Sequence, residues 1–151
     1  MAQKLKNMQA QTFRISNQIR SAFENEHYNE ADTIAKAETG HADNDDFMSE
    51  LYNAHARMGV YQHCMNFVDV AVKNNVAEPD VPPTGAYTIT PLQKQANNVI
   101  NEIVNSVEAH QREIESNSKK DDMGAMTYNS RLEAVENAKN MITRIVAENT
   151  I

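Results

Sequence analysis

Five histidines (His27, His41, His55, His63 and His110), one cysteine (Cys64) and 21 Asp plus Glu are the side chains with which this 151-residue sequence would do chemistry. Glu24-Asn25-Glu26-His27 has the Glu-x-x-His spacing that sets two ligands on one face of a helix, as di-iron carboxylate bundles require. Those centres need a second such motif and two further inward glutamates, and the sequence holds no second copy. The pair therefore reads as a solvated helix end. Asp43-Asn44-Asp45-Asp46 starts like a calcium loop, but the sixth position from Asp43 is Met48 instead of Gly and the twelfth is Ala54 instead of Glu. Short polar side chains followed by carboxylates suit a helix cap and first turn better, because they accept from orphan amides and face the positive end of the helix dipole.

His63 and Cys64 are adjacent, so on a helix they point to different sides and cannot work as base and nucleophile. Cys64 reads as a small core residue, and His55 and His110, which lie in apolar stripes, as hydrogen-bonded core or boundary histidines. The paired carboxylates Glu113 with Glu115 and Glu133 with Glu136 lack any apolar pocket that spacing alone identifies. No Gly-rich phosphate loop, zinc spacing, Gly-x-Ser-x-Gly or His-Glu-x-x-His motif is present. The expectation is a chain without catalytic residues, metal or cofactor.

The elements that would carry these residues are helices. Only four glycines (Gly40, Gly59, Gly85 and Gly124) and four prolines (Pro79, Pro82, Pro83 and Pro91) occur, and the prolines cluster in one stretch. Gly and Pro are the strongest helix breakers, so long stretches remain free to be helical. Leu5, Met8, Thr12, Ile15, Ile19 and Ala22 follow steps of three and four, with Phe13 and Phe23 widening the stripe. Tyr28, Ala31, Ile34 and Ala35 extend the pattern toward Gly40. Met48, Leu51, Tyr52, His55 and Met58 form the next face, and Tyr61, Met65, Val68 and Val72 another beyond Gly59. Residues 44–75 are either a hairpin broken at Gly59 or one long helix. Residues 76–90 read as a Pro-rich loop, and Thr90-Pro91-Leu92-Gln93 as a capping box with proline at the first helical position. From there Leu92, Ala96, Val99, Ile103, Val107, His110 and Ile114 repeat every eleven residues, close to the pitch of a straight bundle helix. A polar connection over Ser116 to Gly124 precedes a last helix, capped by Thr127 or Ser130, with Tyr128, Leu132, Val135, Ala138, Ile142 and Ile145 as its face. The predicted fold is all-α: one domain over 1–151, a helical bundle of four main segments, two of which are open to division into hairpins.

Around Gly59-Val60-Tyr61, with Leu51 before and Ala71 after, the spacing is similar to a tetratricopeptide repeat. Tyr28 and Ala31 precede Tyr61 and Cys64 by about one repeat length of that family. The resemblance covers residues 12–80. Glu26 stands where the first copy would have its glycine, and Cys64 where the family has a small alanine. It implies a peptide-binding or scaffolding role and no catalytic residue.

Charge is uneven. The net charge of −7 disfavours gross attraction to nucleic acid, yet Lys4, Lys6, Arg14 and Arg20 all precede the first acid, Glu24, and residues 27–50 carry seven acids against one Lys. Most helix charges are simply solvated. The sharper expectation is that Lys4, Lys6, Arg14 and Arg20 touch a partner or phosphate, and that Asp43, Asp45, Asp46 and Glu50 form an acidic partner surface. Eight methionines with few aromatics suit adaptable helix packing. No window reaches the ~18 apolar residues of a membrane helix, and the first residues lack a signal-peptide pattern, so the expected compartment is the cytoplasm. The leading expectation is a non-enzymatic assembly or adaptor protein, with a protein partner or a second copy of itself. In its Asn-rich, motif-poor style it resembles small bacteriophage structural or host-interaction proteins, placed in the host cytoplasm or the virion. The alternatives are a nucleic-acid-associated protein using its basic start, and a small enzyme whose site the sequence does not reveal.

Overall fold

A computed structural model describes residues 11–40, 45–75, 89–117 and 122–149. They form four helices: α1 (Gln11–Gly40), α2 (Asp45–Asn75), α3 (Ile89–Asn117) and α4 (Asp122–Glu148). There is no strand among the described residues. At 1.5 Å per residue each helix is roughly 40–46 Å long. None is long and apolar enough to cross a membrane.

Cross-helix pairs give the directions. Arg20 meets Asp69 and Glu30 meets Arg57, so α1 and α2 are antiparallel. Asn74 donates to Glu102 while His63 lies against His110, which makes α2 and α3 antiparallel. Arg57 reaches Ser130 and Tyr61 reaches Asn137, so α4 runs with α2. The chain thus goes up, down, up and down, and every pair of helices is in contact.

The stripes predicted for α3 and α4 are the core. Ala96, Val99, Ile103, Val107 and Ile114 are buried, as are Val135, Ala138, Ile142 and Ile145, and they pack with Ile15, Ile19 and Phe23 of α1. The apolar side chains of α2 do not keep to one narrow stripe: Val60, Tyr61, Cys64, Met65, Val68 and Ala71 are all buried, because α2 touches all three other helices and must be apolar on more than one side. Just beyond α4, Asn149 donates to Gln18 Oε1 and to the Ile145 carbonyl, both at 2.8 Å, fastening the end of α4 to α1.

Several boundaries differ from expectation, but residues 45–75 are one helix with Gly59 inside it, one of the two readings open for that stretch. A single interior glycine costs only about 1 kcal/mol, which packing along a 31-residue helix offsets. Helix α3 begins at Ile89, so Thr90 and Pro91 fall within its first turn, where a missing proline N–H leaves no helical bond unmade. The segment predicted to connect α3 and α4 is mostly helical: α3 runs to Asn117 and α4 starts at Asp122, ahead of Thr127 and Ser130. The loop predicted over 76–90 lies outside the described residues apart from its last two. On α1, Tyr28 is 72% exposed and Ala35 is exposed, so of that predicted face only Ile34 enters the core.

A Cβ built at Gly59 meets nothing within 4 Å. Gly59→Ala is therefore expected to stabilise the protein by about 0.5–1 kcal/mol. Urea unfolding followed by circular dichroism checks this, and a variant less stable than the parent contradicts the open environment.

Candidate functional site

The apolar stripe of α1 is interrupted after Phe23. The positions that continue it at three, four and seven residues on are Glu26, His27 and Glu30, and the stripe resumes only at Ile34. The same occurs on α2, where Ala54, Arg57, Tyr61, Cys64, Val68 and Ala71 follow steps of three and four with Arg57 among them. Charges on core-facing positions must find partners, since an unpaired buried charge is strongly unfavourable. Here they find each other. Arg57 Nε donates to Glu30 Oε1 at 2.9 Å, with side chains only 21% and 15% exposed, and Arg57 Nη1 lies 3.4 Å from Ser130 Oγ. Beside them Asn137 donates to the Tyr61 hydroxyl at 3.0 Å. The hydrogen bond to Glu30 raises the Arg57 guanidinium above its ordinary value although burial opposes it, and burial raises the Tyr61 phenol. The result is a polar layer shared by α1, α2 and α4, opening to an outer groove lined by Glu26, Glu133 and Asn140.

A second polar cluster lies where α2, α3 and α4 meet. The His63 and His110 rings are 4.8 Å apart between centroids, and Phe67 stands edge-on to His110 at 5.8 Å. Arg131 of α4 and Glu113 of α3 line the same hollow. His110 is half-buried, as a boundary residue should be, but its Nε2 is buried without a hydrogen-bond partner, contrary to the expected hydrogen-bonded histidine. His55 is exposed. Burial, then His63, holds His110 below its ordinary value. Cys64 is fully buried, and desolvation pushes its thiol up to about 12, so it stays a neutral packing residue.

Of the residues singled out in sequence, Lys4, Lys6 and Asp43 lie outside the described residues. Asp45 and Asp46 open α2, and Glu50 and Arg14 are exposed. Arg20 donates to both carboxylate oxygens of Asp69, at 2.8 and 3.3 Å, and to Glu24 at 3.2 Å. Glu24, the carboxylate of the Glu-x-x-His pair, is thus an ion-pair partner of Arg20. Among the described residues no three His, Cys, Asp or Glu converge as a metal site. The features that motif reading missed are Glu30, Arg57 and the His63 with His110 pair. The first two were signalled by charge at core spacing; the third depends on which helix faces meet.

Fold and polar sites together define an up-down-up-down helical bundle with a partly buried charged layer. No family model, curated protein or solved structure matches this chain.

Proposed function

We propose that this chain is a non-enzymatic assembly or adaptor protein acting through its helix faces. The observation that carries this reading is a strip on α2, at spacing of four and three, where His63 is exposed, Phe67 is half-exposed and Val70 keeps 43% of its surface in solvent. The strip runs along the seam with α3, beside His110 and Glu102. Aromatic and apolar side chains at helical spacing are what a partner helix reads. A second copy of the chain is the proposed occupant, and a small phage structural or host-interaction protein is the setting that matches the style of the sequence. Arg20, already neutralised by Asp69 and Glu24, weighs against the nucleic-acid reading.

Light scattering coupled to size exclusion tests this. The wild type is expected to run as an oligomer and Val70→Asp, with unchanged helical circular dichroism, as a smaller species. A wild type that stays monomeric at every concentration, or a Val70→Asp variant with the parental mass, overturns the role of this strip.

A further inference from the structure

Burial of His110 is uneven across its ring. The side chain is half-buried at the seam of α2 and α3, yet its Nε2 is closed to water and has no hydrogen-bond partner. A neutral imidazole has one N–H donor and one acceptor nitrogen, whereas the cation has two N–H donors. Whichever nitrogen takes the second proton, the cation must therefore hold an N–H at Nε2 that no acceptor meets. An unmet buried donor costs more on a charged group than on a neutral one. The closed seam thus strongly favours neutral His110.

Its neighbours act in the same sense, with one exception. From α2, the His63 and Phe67 rings stand 4.8 and 5.8 Å from that of His110 between centroids, and His55 lines the adjoining hollow. Arg131 comes to that hollow from α4 and Glu113 from α3 itself, while α1 contributes no residue to the lining. Burial opposes protonation of His110 most, His63 and Arg131 add to it, and Glu113 favours the cation. Glu113 is exposed, so the place that suits a charged His110 lies at the surface, outside the seam.

We propose that His110 is an acid switch on the assembly strip: neutral, it closes the α2–α3 seam against Phe67, and protonated it leaves for the surface beside Glu113 and the oligomer comes apart. This regulation rests on the assembly reading, because Phe67 is the middle residue of the strip formed with His63 and Val70. When His110 swings out, Phe67 loses its edge-on ring contact and the strip loses the surface that a second copy fits. The closed seam holds the titration point of His110 below the ordinary value of 6.5 that the open form keeps. Closure is then fully favoured above pH 6.5 and weakens as pH falls from there toward the lower folded value. Each chain takes up one proton, so opening gains at most about tenfold per pH unit in that window, equal to about 1.4 kcal/mol.

Light scattering of the full chain at about pH 7.5 and about pH 5, a range above the ordinary carboxylate values of ~4, tests the switch. The wild type is expected to pass from oligomer to monomer, with the His110 imidazole resonance titrating below 6.5 by NMR. His110→Gln, which cannot take the proton, is expected to keep at the lower pH the oligomeric mass it has at the higher. Should Gln itself loosen the seam at neutral pH, Glu113→Gln carries the test: the open form then holds its proton less tightly, and the transition is expected at lower pH than in the parent. A wild type that stays oligomeric at the lower pH overturns the switch and leaves the assembly reading standing. An imidazole that titrates at or above 6.5 does the same, as does a His110→Gln oligomer that dissociates like the parent or a Glu113→Gln transition at the parental pH. A wild type already monomeric at the higher pH overturns both readings.

Discussion

Phe23→Ala is expected to destabilise the protein by about 3–5 kcal/mol. Phe23 is 0% exposed and lies in the main core with Ile15 and Ile19 of the same helix. Truncation forfeits the transfer energy of the ring and leaves a cavity that the packed helices close only in part. A domain has only about 5–15 kcal/mol of stability, so the loss is a large fraction of the total. For a chain of this size each kcal/mol lowers the melting temperature by roughly 2–4 °C. Tyr28→Ala, one turn and a little further along the same helix but 72% exposed, is expected to change stability by no more than about 0.5 kcal/mol. Chemical denaturation of the two variants side by side separates them. Equal losses would mean that the inward face of α1 is misassigned.

Arg57→Gln is the second substitution with a large expected effect. It leaves the Glu30 carboxylate 15% exposed with no cation beside it, and uncompensated charges in fully buried pairs cost about 3–5 kcal/mol. Since both side chains retain some solvent contact, we expect about 2–3 kcal/mol, somewhat less than the cost in a fully buried pair. The double variant Glu30→Gln with Arg57→Gln is expected to recover part of the loss, because neither site then carries a charge. A cycle of the four proteins in urea measures the coupling. If the two single losses simply add, Glu30 and Arg57 do not stabilise each other, and the pairing is incidental to stability.

Much of the bundle was legible because helix faces repeat. The eleven-residue pattern placed the core face of α3 correctly from Ala96 to Ile114, and the clusters around Asp43 and Thr90 marked where helices begin to within a few residues. Gly59 left a hairpin and a single helix both open, and Gly124 misled, for one reason. A lone glycine weakens a helix by an amount that tertiary contacts readily exceed, so it punctuates only where neighbouring residues also favour a turn. The polar layer escaped notice because metal and catalytic motifs are sought by ligand spacing, whereas Glu30 and Arg57 are informative by standing where Leu or Ile would be expected. The contact of His63 with His110 is beyond periodicity altogether. Periodicity assigns each residue to a face, but the pairing of faces comes from how α2 and α3 align over their whole length.

The two ion pairs between α1 and α2 have a consequence for alignment. Arg20 with Asp69 and Glu30 with Arg57 are separated by ten residues on α1, roughly 15 Å along its axis, and both require the same longitudinal match. An apolar seam of Ile, Val, Ala and Met tolerates a slide of one turn, about 5.4 Å, because one aliphatic contact replaces another. This seam does not. Such a slide would set Glu30 and Arg57 against aliphatic neighbours, each half-buried and without its counterion, and would break the outer pair as well. The charges thus act as a vernier: they add little to how strongly the helices adhere and decide where along their length they do so.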